Sequence, residues 1–199
     1  MKRSHILFVT AGILCLASCN SGKFNIQADM ETAGFRQAES VQIQSEALDK
    51  PLTADIQNGH FSVSGKVKGS SFATLSLLGG PTRQGYPFIL EHGNIVFTEK
   101  HAVGTPLNDS TTAFVQGLQT LAASLKDQPE QLRPAVHDKI KAYVQRHAKD
   151  PSGVYAVKFA DGKVTPEEMQ ELIGLLSRDQ RNEGVIRTIS KNLKRGAEK

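Results

Sequence analysis

From Lys23 to about Val103, apolar and polar residues alternate along the chain. Phe24, Ile26, Ala28 and Met30 share one parity, followed by Val41 and Ile43, by Leu52, Ala54 and Ile56, by Phe61 and Val63, and by Ala73, Leu75 and Leu77. Successive side chains of a strand point to opposite faces, so this spacing predicts strands with one face buried. Asn58-Gly59, set between Ile56-Gln57 and His60-Phe61, predicts a type I′ turn joining its flanking strands as a hairpin, because both residues tolerate the positive φ that such a turn requires. Gly79-Gly80-Pro81 punctuates the next crossing. The run Phe88-Ile89-Leu90-Glu91-His92-Gly93-Asn94-Ile95-Val96-Phe97 predicts a second hairpin around a glycine turn.

After Gly104-Thr105-Pro106 the period lengthens to that of helices. Asn108 or Asp109 is placed to cap a helix with Phe114, Leu118, Leu121 and Leu125 on one face. Leu132, Val136, Ile140, Tyr143 and Val144 mark a second helix, whose start Pro134 is expected to delay by a turn and which ends before Asp150-Pro151-Ser152-Gly153. Thr165-Pro166-Glu167-Glu168 has the form of a capping box with proline at the first helical position, leading into Met169, Leu172, Ile173 and Leu176. A last helix carries Val185, Ile186, Ile189 and Leu193. Strands first and helices afterwards predict an α+β fold: an antiparallel β-sandwich or curled sheet over residues 23–104, then a helical segment over 105–199. The chain contains no internal repeat and no low-complexity segment.

The first residues follow neither period. Met1-Lys2-Arg3 is a basic start and Ile6 to Leu16 an apolar run too short to span a bilayer, so residues 1–18 read as a targeting segment. Both cysteines of the chain, Cys15 and Cys19, lie in the stretch ILCLASCN at residues 13–20. Leu16-Ala17-Ser18-Cys19 resembles the lipobox of bacterial lipoproteins; the plainer reading is an ordinary secretory signal with an incidental cysteine. The resemblance implies cleavage before Cys19 and acylation of that residue, which would make the membrane a partner through the N-terminal lipid. Asn20 after the cysteine resembles the sorting state of outer-membrane lipoproteins, and the body is expected to face the periplasm. Residues 19–22 then form the lipidated cysteine and a tether, which reaches only about 10–14 Å when extended.

Removal of that segment changes the charge. The whole chain carries 24 Lys+Arg against 20 Asp+Glu, a net +4; without Lys2 and Arg3 the balance is 22 against 20, or +2. A nucleic-acid partner needs a concentrated basic face, and none is visible. Cys15 leaves with the segment and Cys19 is consumed by lipid, so the remaining 181 residues have neither a free thiol nor a disulfide.

No catalytic constellation, cofactor motif or metal-ligand spacing stands out. Glu91 and His92, with Glu99 and His101 across the expected hairpin, read as a polar turn and solvated strand ends. His137 and His147 are ten residues apart, about 280° net around a helix, and do not share a face. The segment from Gly65 to Ser71 has the letters of a phosphate loop in the wrong order and reads as a loop between strands. Asn108-Asp109-Ser110 matches a glycosylation sequon, but helix capping accounts for it. Arg187, Lys191, Lys194 and Arg195 on the last helix suit an anionic headgroup layer or an acidic partner, and equally complement the helix dipole. A groove between sheet and helices would suit a small or lipid-like ligand; a filled core fits the same residues.

Three stretches carry a further resemblance: Asn58-Gly59-His60-Phe61 with Gly65, the run from Phe88 to Ile95, and Gly104-Thr105-Pro106-Leu107-Asn108. They are similar to the domain of unknown function that precedes the thioredoxin-like domain in envelope thiol-disulfide oxidoreductases. Gly153-Val154-Tyr155-Ala156 and Leu172 to Leu176 are similar to the helical segment that follows it, so the likeness spans about residues 24–196. In that family a Cys-x-x-Cys of the later domain supplies the attacking thiolate. This sequence has no such pair, and the family's activity is therefore not expected of it. The reading is a non-catalytic interaction or ligand-binding lipoprotein; the alternative is an accessory half of a thiol-disulfide system acting with a thioredoxin-like envelope protein in trans.

Overall fold

The computed structural model describes residues 22–81 and 84–197; Cys15, Leu16, Ala17, Ser18 and Cys19 lie outside the described residues. The alternating region forms two four-stranded sheets. In the first, β1 (Lys23–Asp29), β4 (His60–Lys66), β7 (Gly93–Thr98) and β8 (His101–Val103) take the order β4-β1-β7-β8. In the second, β2 (Ser40–Ser45), β3 (Leu52–Asp55), β5 (Ser71–Leu78) and β6 (Gln84–Leu90) take the order β3-β2-β5-β6. β1 runs parallel to β7, and the other pairings are antiparallel.

The alternation works as expected. Phe24, Ile26, Ala28, Phe61, Val63, Ile95 and Phe97 of the first sheet meet Val41, Ile43, Leu75, Leu77, Phe88 and Leu90 of the second in one core. Phe88 and Phe97 meet edge to face, their ring centres 5.4 Å apart.

Both expected hairpins are corrected in their strand partners. Asn58 and Gly59 do form a turn with positive φ, 52° and 78°, and Gln57 and His60 exchange two hydrogen bonds of 2.9 Å. The pairing stops there, because the turn carries the chain from β3, at the edge of the second sheet, to β4, at the edge of the first. Glu91 and His92 likewise carry the chain from β6 in one sheet to β7 in the other. Alternation places Leu90 and Ile95 in a common core; it is silent on whether they enter from one sheet or from two. A tight turn that the sequence reading missed, with φ 48° at Glu99 and 67° at Lys100, joins β7 to β8.

The helices are α1 (Pro106–Ser124), α2 (Pro129–Arg146), α3 (Pro151–Ala160), α4 (Pro166–Leu175), α5 (Arg178–Arg181) and α6 (Gly184–Ala197). They cover the outer face of the second sheet, where Phe72 and Ile89 join Phe114, Ile140, Val154, Val157, Leu172 and Ile186. The molecule therefore has three layers, and β5, in the middle one, is buried on both faces. The centre of the interface between sheet and helices is a filled core, and a cleft of about 340 Å³ opens at its margin between Phe72 and Thr74 of β5 and Val185 and Thr188 of α6.

Two helical expectations change. Pro134 does not delay α2, which begins at Pro129: the missing N–H at Pro134 releases only the carbonyl of Glu130, within the first turn of the helix. The other change is α3, unforeseen as an element, which starts where Asp150 accepts from the backbone N–H of Ser152 at 2.9 Å. It is buried on nearly every side, so its sequence carries no polar stripe to reveal a helical period. The capping box at α4 forms as expected, with Thr165 N–H donating to Glu168 at 2.7 Å and Glu168 N–H to Thr165 Oγ1 at 3.2 Å.

Candidate functional site

A sandwich has two open sides, where the outermost strands leave backbone N–H and C=O groups unpaired. On the side of β6 and β8, α1 closes both strands. Its Asn108, fully buried, accepts from Ile89 N–H at 2.9 Å and donates to the Ile89 carbonyl at 2.7 Å, as a neighbouring strand would. One turn later, Thr112 donates to the Ala102 carbonyl of β8 at 2.8 Å. Pro87 of β6 has no N–H to leave unpaired.

The start of α1 is fastened to the same strand. The Glu91 carboxylate accepts from the N–H groups of Leu107 at 2.9 Å and Asn108 at 3.2 Å, where the helix dipole favours a negative charge. This corrects two readings. Glu91, expected at a solvated turn, is only 5% exposed and serves as the cap of α1. Asn108 and Asp109, expected to be that cap, lie inside the first turn: Asn108 binds β6, while Asp109 accepts from Gly104 N–H at 2.8 Å. Thr105 holds the N-cap position without making a side-chain cap bond.

The opposite side, of β3 and β4, is built differently. Met30 N–H donates to the Gly59 carbonyl at 2.8 Å and Val67 N–H to the Gly22 carbonyl at 2.7 Å, which marks the two ends of the β1–β4 ladder. In an antiparallel pair, alternate residues exchange both bonds with the neighbour. Phe61, Val63 and Gly65 therefore face β1, and Ser62, Ser64 and Lys66 turn their N–H and C=O outward. Among the described residues, no hydrogen bond reaches those outward groups.

A cleft of about 800 Å³ lies at the end of this side, where β1 finishes and the Asn58-Gly59 turn forms the rim. Gln27, Asp29, Asp55, Gln57, Asn58, His60 and Ser62 give it a polar lining around Ala54, Phe61 and Val96. Asp29 accepts from Thr32 N–H at 2.7 Å, and this bond, with His60 Nδ1 3.4 Å from its other oxygen, holds its carboxyl below the ordinary carboxylate pKa. The cleft thus offers two carboxylates, three amides, a hydroxyl and an imidazole, a set suited to hydrogen-bonding a polar group.

The other residues singled out in the sequence are dispersed. Glu91 and His92 sit at one end of β7, Glu99 and His101 at the other. His147 Nδ1 lies 2.9 Å from Asp150, whereas His137 Nε2 lies 3.6 Å from Glu171. Among the described residues, no three His, Cys, Asp or Glu side chains are grouped to hold a metal. Arg187 of α6 pairs with Glu46 at 2.9 Å. No described helix is long and apolar enough to cross a membrane. The cleft and the open strand were not visible in the sequence: Ser62, Ser64 and Lys66 mark β4 as polar on its outer face, but Asn25, Gln27 and Asp29 mark β1 the same way, and β1 is paired on both edges. No family model, curated protein or solved structure matches the chain.

Proposed function

We propose that the chain is a lipoprotein of the bacterial envelope, anchored in the outer membrane through Cys19 and facing the periplasm, whose body binds a partner along its β3/β4 side and carries out no chemistry of its own. The observation that carries this reading is the asymmetry of the sandwich: α1 side chains occupy the strand edges on one side, and the other side keeps a polar cleft beside an unpaired strand.

The anchor rests on Leu16-Ala17-Ser18-Cys19, and β1 begins at Lys23, four residues after the cysteine. One end of β1 is thereby held close to the bilayer. Asp29 and the cleft lie at its other end, about 20 Å away at roughly 3.4 Å per strand residue. A body tethered this way offers the cleft to the periplasm.

Photoreactive amino acids placed separately at Ser64 on the open strand and at Gln116 on the exposed face of α1 test the reading in intact cells. Cross-linked products from position 64 and none from 116 are expected, in the outer-membrane fraction. Equal products from both positions, or a body found free of membrane, would refute it.

A second reading, the accessory half of a thiol-disulfide system, is favoured by the resemblance over residues 24–196. After lipidation of Cys19 no thiol remains to form a covalent link, so contact with a thioredoxin-like protein would be packing alone. Such a contact survives strong reductant unless the partner's own redox state controls it.

A further inference from the structure

We infer that the partner is an extended polypeptide segment that adds to the first sheet as a fifth strand along β4; this rests on the binding reading above and names its partner class.

The geometry of β4 carries the inference. It runs seven residues without proline or bulge, and Ser62, Ser64 and Lys66 present three outward N–H and three outward C=O groups in strand register. The other edges are unsuited. β6 is closed by Asn108 and Pro87, β8 has three residues and is bonded to Thr112, and β3 has four. Long edges are normally blunted by proline, bulges or charged side chains, because they pair with other chains; β4 carries one such charge, Lys66, at its end and none at Ser62 or Ser64. Retention of this one beside a cleft is what strand addition requires.

The flanking side chains specify the segment. On the outer face, Ser62 and Ser64 both donate to Asn25 Oδ1, at 2.8 and 2.9 Å, so the added strand meets a polar surface there. On the inner side, half-buried Leu52, Ala54 and Ile56 offer apolar contact. Alternating polar and apolar residues fit both.

Charge sets the ends. Lys66 is directly opposite Lys23 in the β1–β4 register, and Lys68 follows two residues on. Like charges placed opposite each other destabilise a strand pair. Among the described residues none of the three lysines has an ion-pair partner. Asp29 and Asp55 stand at the other end. The segment therefore carries an acid beside Lys66 and a base or hydrogen-bond donor beside Asp55.

The test uses the mature lipidated protein in detergent micelles and a library of random nonapeptides. Enriched peptides are expected to alternate apolar and polar residues with an acid at one end. Ser64→Pro removes an outward N–H that β1 does not use, and should weaken those peptides at least tenfold while Ser64→Ala does not. Peptides N-methylated at the pairing positions should lose binding to the unaltered protein, a result independent of how any variant folds. No enrichment, undiminished binding to Ser64→Pro, or undiminished binding of N-methylated peptides overturns the inference. A protein dimer that Ser64→Pro dissolves also overturns it, by making a second copy the occupant. Mass spectrometry of the acyl chains on the same sample reads the anchor separately, so loss of one conclusion does not imply loss of the other.

Discussion

The side chain of Asn108 pairs with both backbone groups of Ile89, nineteen residues earlier, at 2.9 and 2.7 Å. One amide thus replaces a strand at the edge of β6 and ties the first turn of α1 to the sheet.

Asn108→Ala removes the partners of two buried backbone groups, each costing about 1–3 kcal/mol when left unsatisfied. A loss of about 3 kcal/mol in urea unfolding is expected, with increased self-association as the β6 edge opens. A loss below about 1 kcal/mol would show that water replaces the amide without penalty.

Gly153→Ala should destabilise although alanine is the better helix former. A Cβ at Gly153 would overlap the His147 carbonyl and lie 2.9 Å from Leu176 Cδ2. Overpacking of this kind costs about 1–3 kcal/mol, against a propensity gain of about 1 kcal/mol. The midpoint of chemical denaturation decides between them.

At Gly59 a Cβ meets nothing within 4 Å, but φ is +78°. Gly59→Val therefore suffers from backbone conformation alone, about 1–2 kcal/mol. The melting temperature should fall by roughly 2–8 °C. An unchanged melting temperature would show that the turn tolerates a β-branched residue at this positive φ.

Burial first, then the neighbouring Glu46 charge, raises the pKa of Glu183 above its ordinary 4.5. The folded state then holds this proton more tightly than the unfolded chain, so the group's contribution to stability falls as pH rises from the ordinary carboxylate range through the folded pKa. Glu183→Gln should raise the melting temperature at pH 7, and the gain should vanish below about pH 4, where both states carry the proton. A gain independent of pH would contradict the assignment.

Cys19→Ala should accumulate as a precursor without label from radioactive palmitate. Several acyl chains at about 0.8 kcal/mol per buried methylene hold a protein effectively permanently. Equal labelling of the variant and the parent would exclude Cys19 as the attachment point.

What the sequence determined by itself is what depends on near neighbours. Period-two spacing located the strands of the sandwich because backbone geometry alone sends alternate side chains to one face. Asn58-Gly59 and the Thr165–Glu168 capping box were legible for the same reason, their partners lying within three residues. Tertiary structure alone decided which sheet each strand joined, since Leu90 and Ile95 satisfy the same core from either side. It decided that Glu91 would cap a helix sixteen residues away and that Asn108 would close a strand rather than begin a helix. It also made α3 a helix with no polar face, because the layers around it bury nearly every side. And it decided which side of the sandwich stays open: edge exposure depends on where α1 packs, a long-range burial that no local pattern encodes.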